Sequence, residues 1–485
     1  MKILLLITVA VFICIPYDAL AQRAETFLLP KATTSRQFPK IRKNVNGTLV
    51  LTYVQSMGST AMAYVIVSKD SGMTWSHPQS PGSVPYASIG LQRQPYAIAD
   101  NQGILHCIWE NNKSGEPLRI NYSRSTNDGA TWSVPVPIDP TSKSAQDFSS
   151  IAADNFGNIY VTCLNGDLSL PDGYQHVFLI RSTDRGLTWE PRRRVDQFIA
   201  GGGCECCQQN VAVSPNGEVA VVFRSNIGNQ RDIFLSRSAD QGVSFDVPVL
   251  IQSEKWMINA CPATGPNLTY DKSGDLHIAW RDSRNSVGKD VAYYAQVPMG
   301  SRVTPKNIDL NTGFSESAEY PVPTVLKENP QDVLVVFESS RGVAYSYSKD
   351  AGKTFTTQLL DESIVRSSSV CAVFISPGVP FVVWQTQRDG LFDIARAQPT
   401  VFVTAVEEQE FEKLFFASAS NHLVRITSSG QLISSVTIHN LKGHLINTTS
   451  EVSSSIEIPV TSAGVVLVTV TTLEGNSYRK VLLVE

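Results

Sequence analysis

The stretch SKDSGMTW, residues 68–75, returns along the chain as STNDGATW from Ser125, STDRGLTW from Ser182, SADQGVSF from Ser238 and SKDAGKTF from Ser348. Successive starts lie 57, 57, 56 and 110 residues apart, and the last gap is close to twice the others. One copy in between has lost its box: DVAYYAQVP at 290–298 supplies the strand that precedes a box and then none follows. The octapeptide has a physical reading as a tight turn. The Ser and the Asp or Asn side chains cap backbone N–H groups, the glycine takes a positive φ, and the Trp or Phe packs back between sheets. On that reading Asp70, Asp128, Asp184, Asp240 and Asp350 hold turns and are not catalytic acids.

A second element precedes each box, a hairpin turn that enters an apolar strand. It reads ADNQGILHCIW, ADNFGNIYVTC, SPNGEVAVVF, YDKSGDLHIAW, ENPQDVLVVF and SPGVPFVVW, with NVNGTLVLTYV as the first of the set. A short copy of the strand before a box, FDIARAQP, closes the series at 392–399. Repeats of this length, built of several short strands, bury their faces only against neighbouring copies, which is the condition of a β-propeller. The expectation is an all-β chain with seven blades across 35–400, or six if the first or last copy is irregular. The segment AETFLLP would lend the last blade its missing outer strand.

The ends differ from this body. MKILLLITVAVFICIPYDALAQ has a basic start, a short apolar run and the small residues Ala19-Leu20-Ala21, the layout of a cleaved export signal cut after Ala21. Formal net charge is −4 and charged residues make up only 17% of the chain, which gives no reason to expect nucleic acid or a membrane surface as partner. No later segment is long and apolar enough to span a bilayer. From about residue 408, LISSVTIHNLKGHLINTT and the strand-like runs that follow it, with turns at Gly464 and Gly475, predict a small β-sandwich. Through Asn440, Leu441, Gly443, Ala463-Gly464 and Arg479-Lys480-Val481 it resembles the C-terminal sorting domain of the type IX secretion system of Bacteroidetes. The expected organisation is a signal at 1–21, a propeller at 22–402 and a sandwich at 408–485. The resemblance implies export through the periplasm to the outside or the outer cell surface, with the type IX machinery as partner.

The boxes resemble the Asp-box (bacterial neuraminidase) repeat of sialidases and related propellers over most of residues 30–400. If strands A to D run from the inside of a blade outward, the A–B hairpins and the boxes share one end. The B–C and D–A connections share the other, where such propellers work. That end receives the irregular segments, where binding residues concentrate. Arg224 and Arg281 directly follow B strands, and Glu110 and Glu338 take the equivalent slot. RSNIGNQRD at 224–232 and RDSRNSVGKD at 281–290, with Arg284, are B–C loops, and Asp167 and Asp172 come from another.

GGGCECCQQN at 201–210 lies just before the fourth A strand, and WMINACPATGPN at 256–267 just before the fifth, so both are expected at this same end. Cys204, Cys206, Cys207 and Cys261 then read first as disulfide partners pinning glycine-hinged loops, with a Cys206–Cys207 bond disfavoured against one to Cys261. Thiolates also suit zinc or copper(I), but paired C-x-x-C motifs and a nearby histidine are lacking, and a reactive thiol is the third possibility. His106 and His277 fall within B strands as structural residues, and Cys107, Cys163 and Cys371 read as small buried hydrophobes. Neither cofactor nor metal is called for.

The sialidase resemblance implies three arginines on a substrate carboxylate, a Tyr–Glu nucleophile pair and an aspartate acid/base. Arg224 and Arg281 stand where the second and third arginines belong, and Glu205 and Tyr320 follow the family order as the catalytic pair. The first arginine is out of register: in SRQFPKI, Arg36 is one position too far from Pro39, and no acid/base aspartate follows it. The functional expectation is a carbohydrate-directed exported propeller acting on a glycan or glycoprotein, with an exo-sialidase-like glycoside hydrolase as its enzymatic form. A non-catalytic glycan- or protein-binding propeller is the alternative, marked by a shallow face with exposed aromatics such as Trp256 or Tyr174.

Overall fold

A computed structural model describes residues 26–484 except for 83–86, 167–173, 285–288, 326–330, 363–368, 399–410, 441–444, 461–463 and the single positions 59, 88, 89, 91, 377, 378, 421 and 475. The export signal expected at the start, Asp167 and Asp172 therefore lie outside the described residues. The regular structure of the described residues is almost entirely strand. Among the described residues seven antiparallel sheets follow one another up to Ala397, six of them simple meanders and the seventh a meander completed by a strand from the start of the chain.

The fourth sheet shows the pattern: A strand Asn210–Val213, B strand Val219–Arg224, C strand Ile233–Ser238 and a two-residue D strand Val249–Leu250. Every residue of Val219–Arg224 is buried, because the sheets on either side cover both faces. That two-sided burial is why the B strands read as continuous apolar runs and lack a period of two. The innermost strands touch in cyclic order, and Arg36–Lys43 of the first sheet packs against Cys371–Ser376 of the seventh. The seam is polar as well as apolar, since the Phe38 N–H donates to Gln385 Oε1 at 3.0 Å and the Ile41 N–H to Cys371 Sγ at 3.3 Å. Thr26–Phe27 pairs with Leu391–Ala397 and supplies the outer strand of the seventh sheet, as AETFLLP suggested.

The boxes close through one set of bonds. In the first, the Ser68 hydroxyl donates to Asp70 at 2.8 Å and accepts the Gly72 N–H at 2.8 Å, while the Thr74 N–H donates to Asp70 Oδ1 at 2.9 Å. Ser182–Asp184, Ser238–Asp240 and Ser348–Asp350 repeat it. In the second box the capping side chain is Asn127, which accepts the Thr131 N–H at 2.9 Å. Asp128, expected in that role, sits one position on with φ 57° and pairs at the surface with Lys69. In the sheet without a box, Val291–Val297 ends in a turn where the Met299 N–H donates to Asp275 of the A–B hairpin at 2.8 Å.

Each box also docks on the preceding sheet. Trp189 meets Tyr122 edge-on with ring centroids 4.9 Å apart, and Phe355 meets Tyr294 at 4.8 Å. Beside the ring, Gly186 has φ +79° and a Cβ there would stand 1.8 Å from the Tyr122 hydroxyl oxygen. That hydroxyl lies 2.7 Å from His106 Nδ1, and His106 Nε2 lies 3.5 Å from the Asp100 carboxylate. The group Asp271, His277 and Tyr294 repeats this arrangement, which accounts for both strand histidines.

After the seventh sheet two further sheets pack together. Phe415–Ser420, Leu423–Ser428 and Ser455–Pro459 form one; Leu445–Thr449, Ile433–Asn440, Gly464–Thr472 and Ser477–Val484 form the other. They share a core that includes Phe415, Val424, Ile426, Val436, Ile438, Ile456, Val468 and Val470. Among the described residues no helix is long and apolar enough to cross a membrane.

Two outcomes follow. Gly186→Ala combines left-handed strain with overpacking against Tyr122, and should lower unfolding free energy by about 2–4 kcal/mol in denaturant titration. In Asp240 and Asp350, burial raises the pKa but hydrogen bonds from Ser or Thr hydroxyls and N–H groups outweigh it, leaving each at about 2. These depressed carboxylates contribute stability above the unfolded value of roughly 4, and lose it as pH falls from there toward about 2. Asp240→Asn, which reproduces the cap seen at Asn127, should keep the fold and flatten that acid limb when denaturation midpoints are measured across pH.

Candidate functional site

The end of the sheets opposite the boxes is built from B-strand ends, B–C loops and D–A segments. The three glycines before the cysteine loop are fastened and do not act as a hinge. The Gly203 N–H donates to Gln175 O at 2.9 Å, and Gly202 has φ +67° with its Cα so close that a Cβ would stand 2.4 Å from the same carbonyl.

Of the one or two bonds that repeat register left open among the four cysteines, one is formed. Cys206 is bonded to Cys261, with Cα atoms 6.2 Å apart, and Cys204 and Cys207 are buried thiols. The sulfurs of Cys204, Cys206 and Cys207 lie within 4.8 Å of one another, but the disulfide removes Cys206 from any three-thiolate ligand set. Burial raises the Cys204 pKa, yet hydrogen bonds from Cys207 and the Cys206 N–H, with the charges of Arg224 and Arg231, bring it down to about 7. Burial and the neighbouring Cys204 push Cys207 well up.

The expected arginines occupy this end, and most of their donors are turned onto the protein. Arg224 is 1% exposed and donates to the carbonyls of Thr264 at 3.3 Å, Arg231 at 2.9 Å and Arg281 at 2.7 Å. Its guanidinium stacks 4.9 Å above Trp256, which is buried and is no exposed aromatic. Arg281 donates to Pro262 O at 2.8 Å and pairs with Asp290 at 3.1 Å. Arg284 pairs with Asp282 at 3.1 Å and lies 4.2 Å over the Tyr293 ring. Arg36 donates to Pro30 O at 2.8 Å and pairs with Asp393 at 3.2 Å, joining the first sheet to the seventh. As placed, these side chains tie neighbouring sheets and loops together, because a buried guanidinium must spend its donors on carbonyls or carboxylates.

The carboxylates divide. Glu205 keeps a half-exposed side chain but pairs with Arg231 at 3.0 Å and accepts from Asn226 at 2.8 Å. Glu338 is buried at the end of Val333–Ser339, in register with Glu319. Tyr320 lies on the A strand Ala318–Val325, and its side chain is outside the described residues. Glu110 is buried and accepts the Ser149 N–H at 2.9 Å. Burial and the Asp147 charge hold it well above the usual carboxylate range.

Glu110 leads to a group that the sequence did not single out. Arg93 grips Asp147 in a two-pronged pair, with Nε donating to Oδ1 at 2.6 Å, and its Nε lies 3.7 Å from Glu110. The Arg93 side chain remains 38% exposed. Phe148, next to Asp147, has φ 56° and lies 5.0 Å beneath the Arg93 guanidinium. A strained non-glycine residue of this kind persists only where its surroundings enforce it. Gln92, one residue away, donates to Cys206 O at 2.8 Å and accepts the Gln208 N–H at 2.6 Å, so the Arg93 group and the cysteine loop form one surface. Tyr174 and Phe198, 42% and 54% exposed, stand at the same end, on the B–C loop of the third sheet and the D–A segment before the fourth. The available signal for Arg93 was positional: LQRQPY stands just before the second A strand, as CCQQNV does before the fourth.

A BNR repeat-like domain is matched over residues 109–258, from the second sheet to the segment before the fifth. Among solved structures, the chain is similar to a polysaccharide lyase, an ulvan lyase, with 10% identity and a TM-score of 0.51, covering 75% of this chain and 94% of that one. It is also similar to a protein of unknown function from Dyadobacter fermentans, at 15% identity, 76% and 96% coverage and a TM-score of 0.47. An intramolecular trans-sialidase from Ruminococcus gnavus aligns at 10% identity, 66% and 96% coverage and a TM-score of 0.46. The likeness to the lyase is one of fold alone. No curated protein matches the chain in sequence.

Peptide mapping without reduction should link Cys206 to Cys261, while Cys204 and Cys207 become alkylated once the protein is denatured. Gly265 packs so tightly on the cysteine loop that a Cβ would stand 1.6 Å from Gln208 O. Gly265→Ala should therefore cost about 1–3 kcal/mol in denaturant titration and slow re-formation of that disulfide after reduction.

Proposed function

We propose that this chain is an exported, carbohydrate-directed protein. Its seven consecutive sheets are the blades of a sialidase-like propeller that binds a glycan at the end opposite the boxes. The observation that carries this reading is the half-open Arg93–Asp147 pair beside buried Glu110. Burial and the Asp147 charge raise the Glu110 pKa, which favours its neutral form, and the half-open Arg93–Asp147 pair presents both donors and acceptors to solvent. That suits sugar hydroxyls, which donate and accept at once. Tyr174 and Phe198 add exposed aromatic faces at the same end, and the BNR repeat-like match and the lyase-like fold agree with a carbohydrate ligand.

Hydrolysis is the second reading, favoured by the raised pKa of Glu110 next to the Asp147 carboxylate, a pairing that separates acid from base. In it the sialidase-type assignment of Glu205 and Tyr320 is one option. The domain limits 22–402 and 408–485 and delivery by the type IX machinery are part of the proposal. They rest on the leader-like start and the sorting-domain resemblance, and the Cys206–Cys261 bond suits an oxidising compartment.

A glycan panel that includes sialosides and uronic-acid polymers tests the proposal for both binding and sugar release. Arg93→Ala should weaken the best ligand by roughly tenfold to a hundredfold, the loss of one to two charge-assisted hydrogen bonds, measured at a temperature where the variant is shown to be folded. Arg224→Ala should instead cost about 3–5 kcal/mol of stability, because three carbonyls lose a buried partner. Undiminished glycan binding by Arg93→Ala, or no binding anywhere on the panel, would overturn the assignment.

A further inference from the structure

The cysteine loop holds more sulfur chemistry than a staple needs. Cys204 and Cys207 are the two ends of a C-x-x-C segment, buried at 1% and 2% exposure, and both are thiols. The Cys207 N–H donates to Cys204 O at 3.2 Å, which folds the segment into a turn and brings the two side chains together. Cys204 Sγ lies 3.7 Å from Cys206 Sγ, one half of the disulfide whose other half, Cys261, is exposed. Arg231 Nη1 donates to Cys204 Sγ at 3.3 Å, and the buried Arg224 guanidinium adds positive charge nearby. A thiolate at Cys204 is thus stabilised where it faces a disulfide sulfur.

We propose that these four cysteines form a thiol–disulfide exchange centre that passes two electrons from the buried Cys204–Cys207 pair to a low-molecular-weight disulfide at the surface. Cys204 thiolate attacks Cys206 Sγ; the Cys206–Cys261 bond breaks, and Cys261 leaves as a thiolate in contact with water. Cys207 then attacks Cys204 Sγ, its proton passing to the departing Cys206 sulfur, and a Cys204–Cys207 disulfide results. One disulfide and two thiols are present before and after, so this internal step needs no oxidant. The Cys261 thiolate next attacks an external disulfide R–S–S–R and releases one R–S⁻. Cys206 attacks the mixed disulfide at Cys261, its proton leaving with the second sulfur as R–SH, and restores Cys206–Cys261. The chain ends with two disulfides, and the external disulfide ends as two thiols.

The scaffold is arranged to survive the intermediate. The segment that carries Cys261 is held independently of the disulfide, by Arg224 on Thr264 O, by Arg281 on Pro262 O and by the Arg231 N–H on Trp256 O at 2.8 Å. Opening the bond therefore exposes Cys261 without releasing its loop. With Cys204 at about 7, its thiolate is well populated at neutral pH, while Cys207 keeps its proton until the second step. The proposal stands apart from the glycan reading and from its outcome.

Native protein is mixed with an aromatic disulfide that releases a coloured thiol, quenched in acid with N-ethylmaleimide, and mapped without reduction. The expected result is release of two thiols per chain from folded protein, with Cys204–Cys207 and Cys206–Cys261 both linked at the end. Maleimide on Cys206 and Cys261 should appear transiently, and the rate should rise with pH through about 7 as Cys204 ionises. Cys204→Ser should keep Cys206–Cys261 and abolish the release. Release from native protein only after denaturant is added, or undiminished release in Cys204→Ser, would overturn the proposal. If Cys204→Ser does not fold, the wild-type map decides: absence of a Cys204–Cys207 link after reaction overturns it equally.

Discussion

The docking of each box onto the preceding sheet is the constraint on which the rest of this molecule depends. In the boxes at Ser182 and Ser348 a glycine in the left-handed region lets the backbone approach a tyrosine hydroxyl and the box aromatic covers the same ring, while Gly72 and Gly242 approach Phe381 and Leu179 in the same way. A four-stranded meander with two apolar faces is not stable alone, so the box serves two purposes at once. It terminates the C strand and fixes the separation of neighbouring sheets. Where the box is missing, Met299 and the Asp275 carboxylate occupy the corresponding turn.

Because the boxes and A–B hairpins consume one end of the sheets in uniform turns, irregularity is confined to the other. There the buried polar groups are numerous and most are satisfied by neighbouring sheets. Arg224 on three carbonyls and Gln92 between Cys206 and Gln208 are examples. The cost of burying a guanidinium or an amide makes such residues specific ties between loops that have no regular secondary structure. Among the described residues, part of the Arg93–Asp147 pair stays exposed at this end, and it is there that we propose a ligand is met.

Legibility followed from the range of the interactions concerned. The box turn is closed by side chains within four residues of one another, so its bonds could be read from eight letters, down to the glycine. The second box shows the limit, since the sequence reading put Asp128 in a role that the hydrogen bonds assign to Asn127. A bond to Cys261 was legible because repeat register brought two segments, 55 residues apart, to one rim, but its partner among Cys204, Cys206 and Cys207 was decided by the structure. Arg224 and Arg281 were placed at the correct end, but their direction was not readable, because the carbonyls they hold come from segments far along the chain. Of the two aromatics whose exposure would mark the binding alternative, Trp256 lies buried beneath Arg224 and Tyr174 is exposed. Arg93 and Asp147 carry no motif; they are 54 residues apart and meet only because two sheets are adjacent.

By itself, then, the sequence determined the repeating unit, the turn chemistry of its boxes, the end at which loops gather and the gathering of four cysteines at that end. All of these depend on local hydrogen bonds or on a period. Only the tertiary structure decided which charged side chains are spent inside the protein and which remain open to solvent. It also decided that Cys204 faces a disulfide sulfur at 3.7 Å. The physical reason is that desolvation and partner geometry are set by what neighbouring sheets bring into contact, and no residue carries that information in its own stretch of chain.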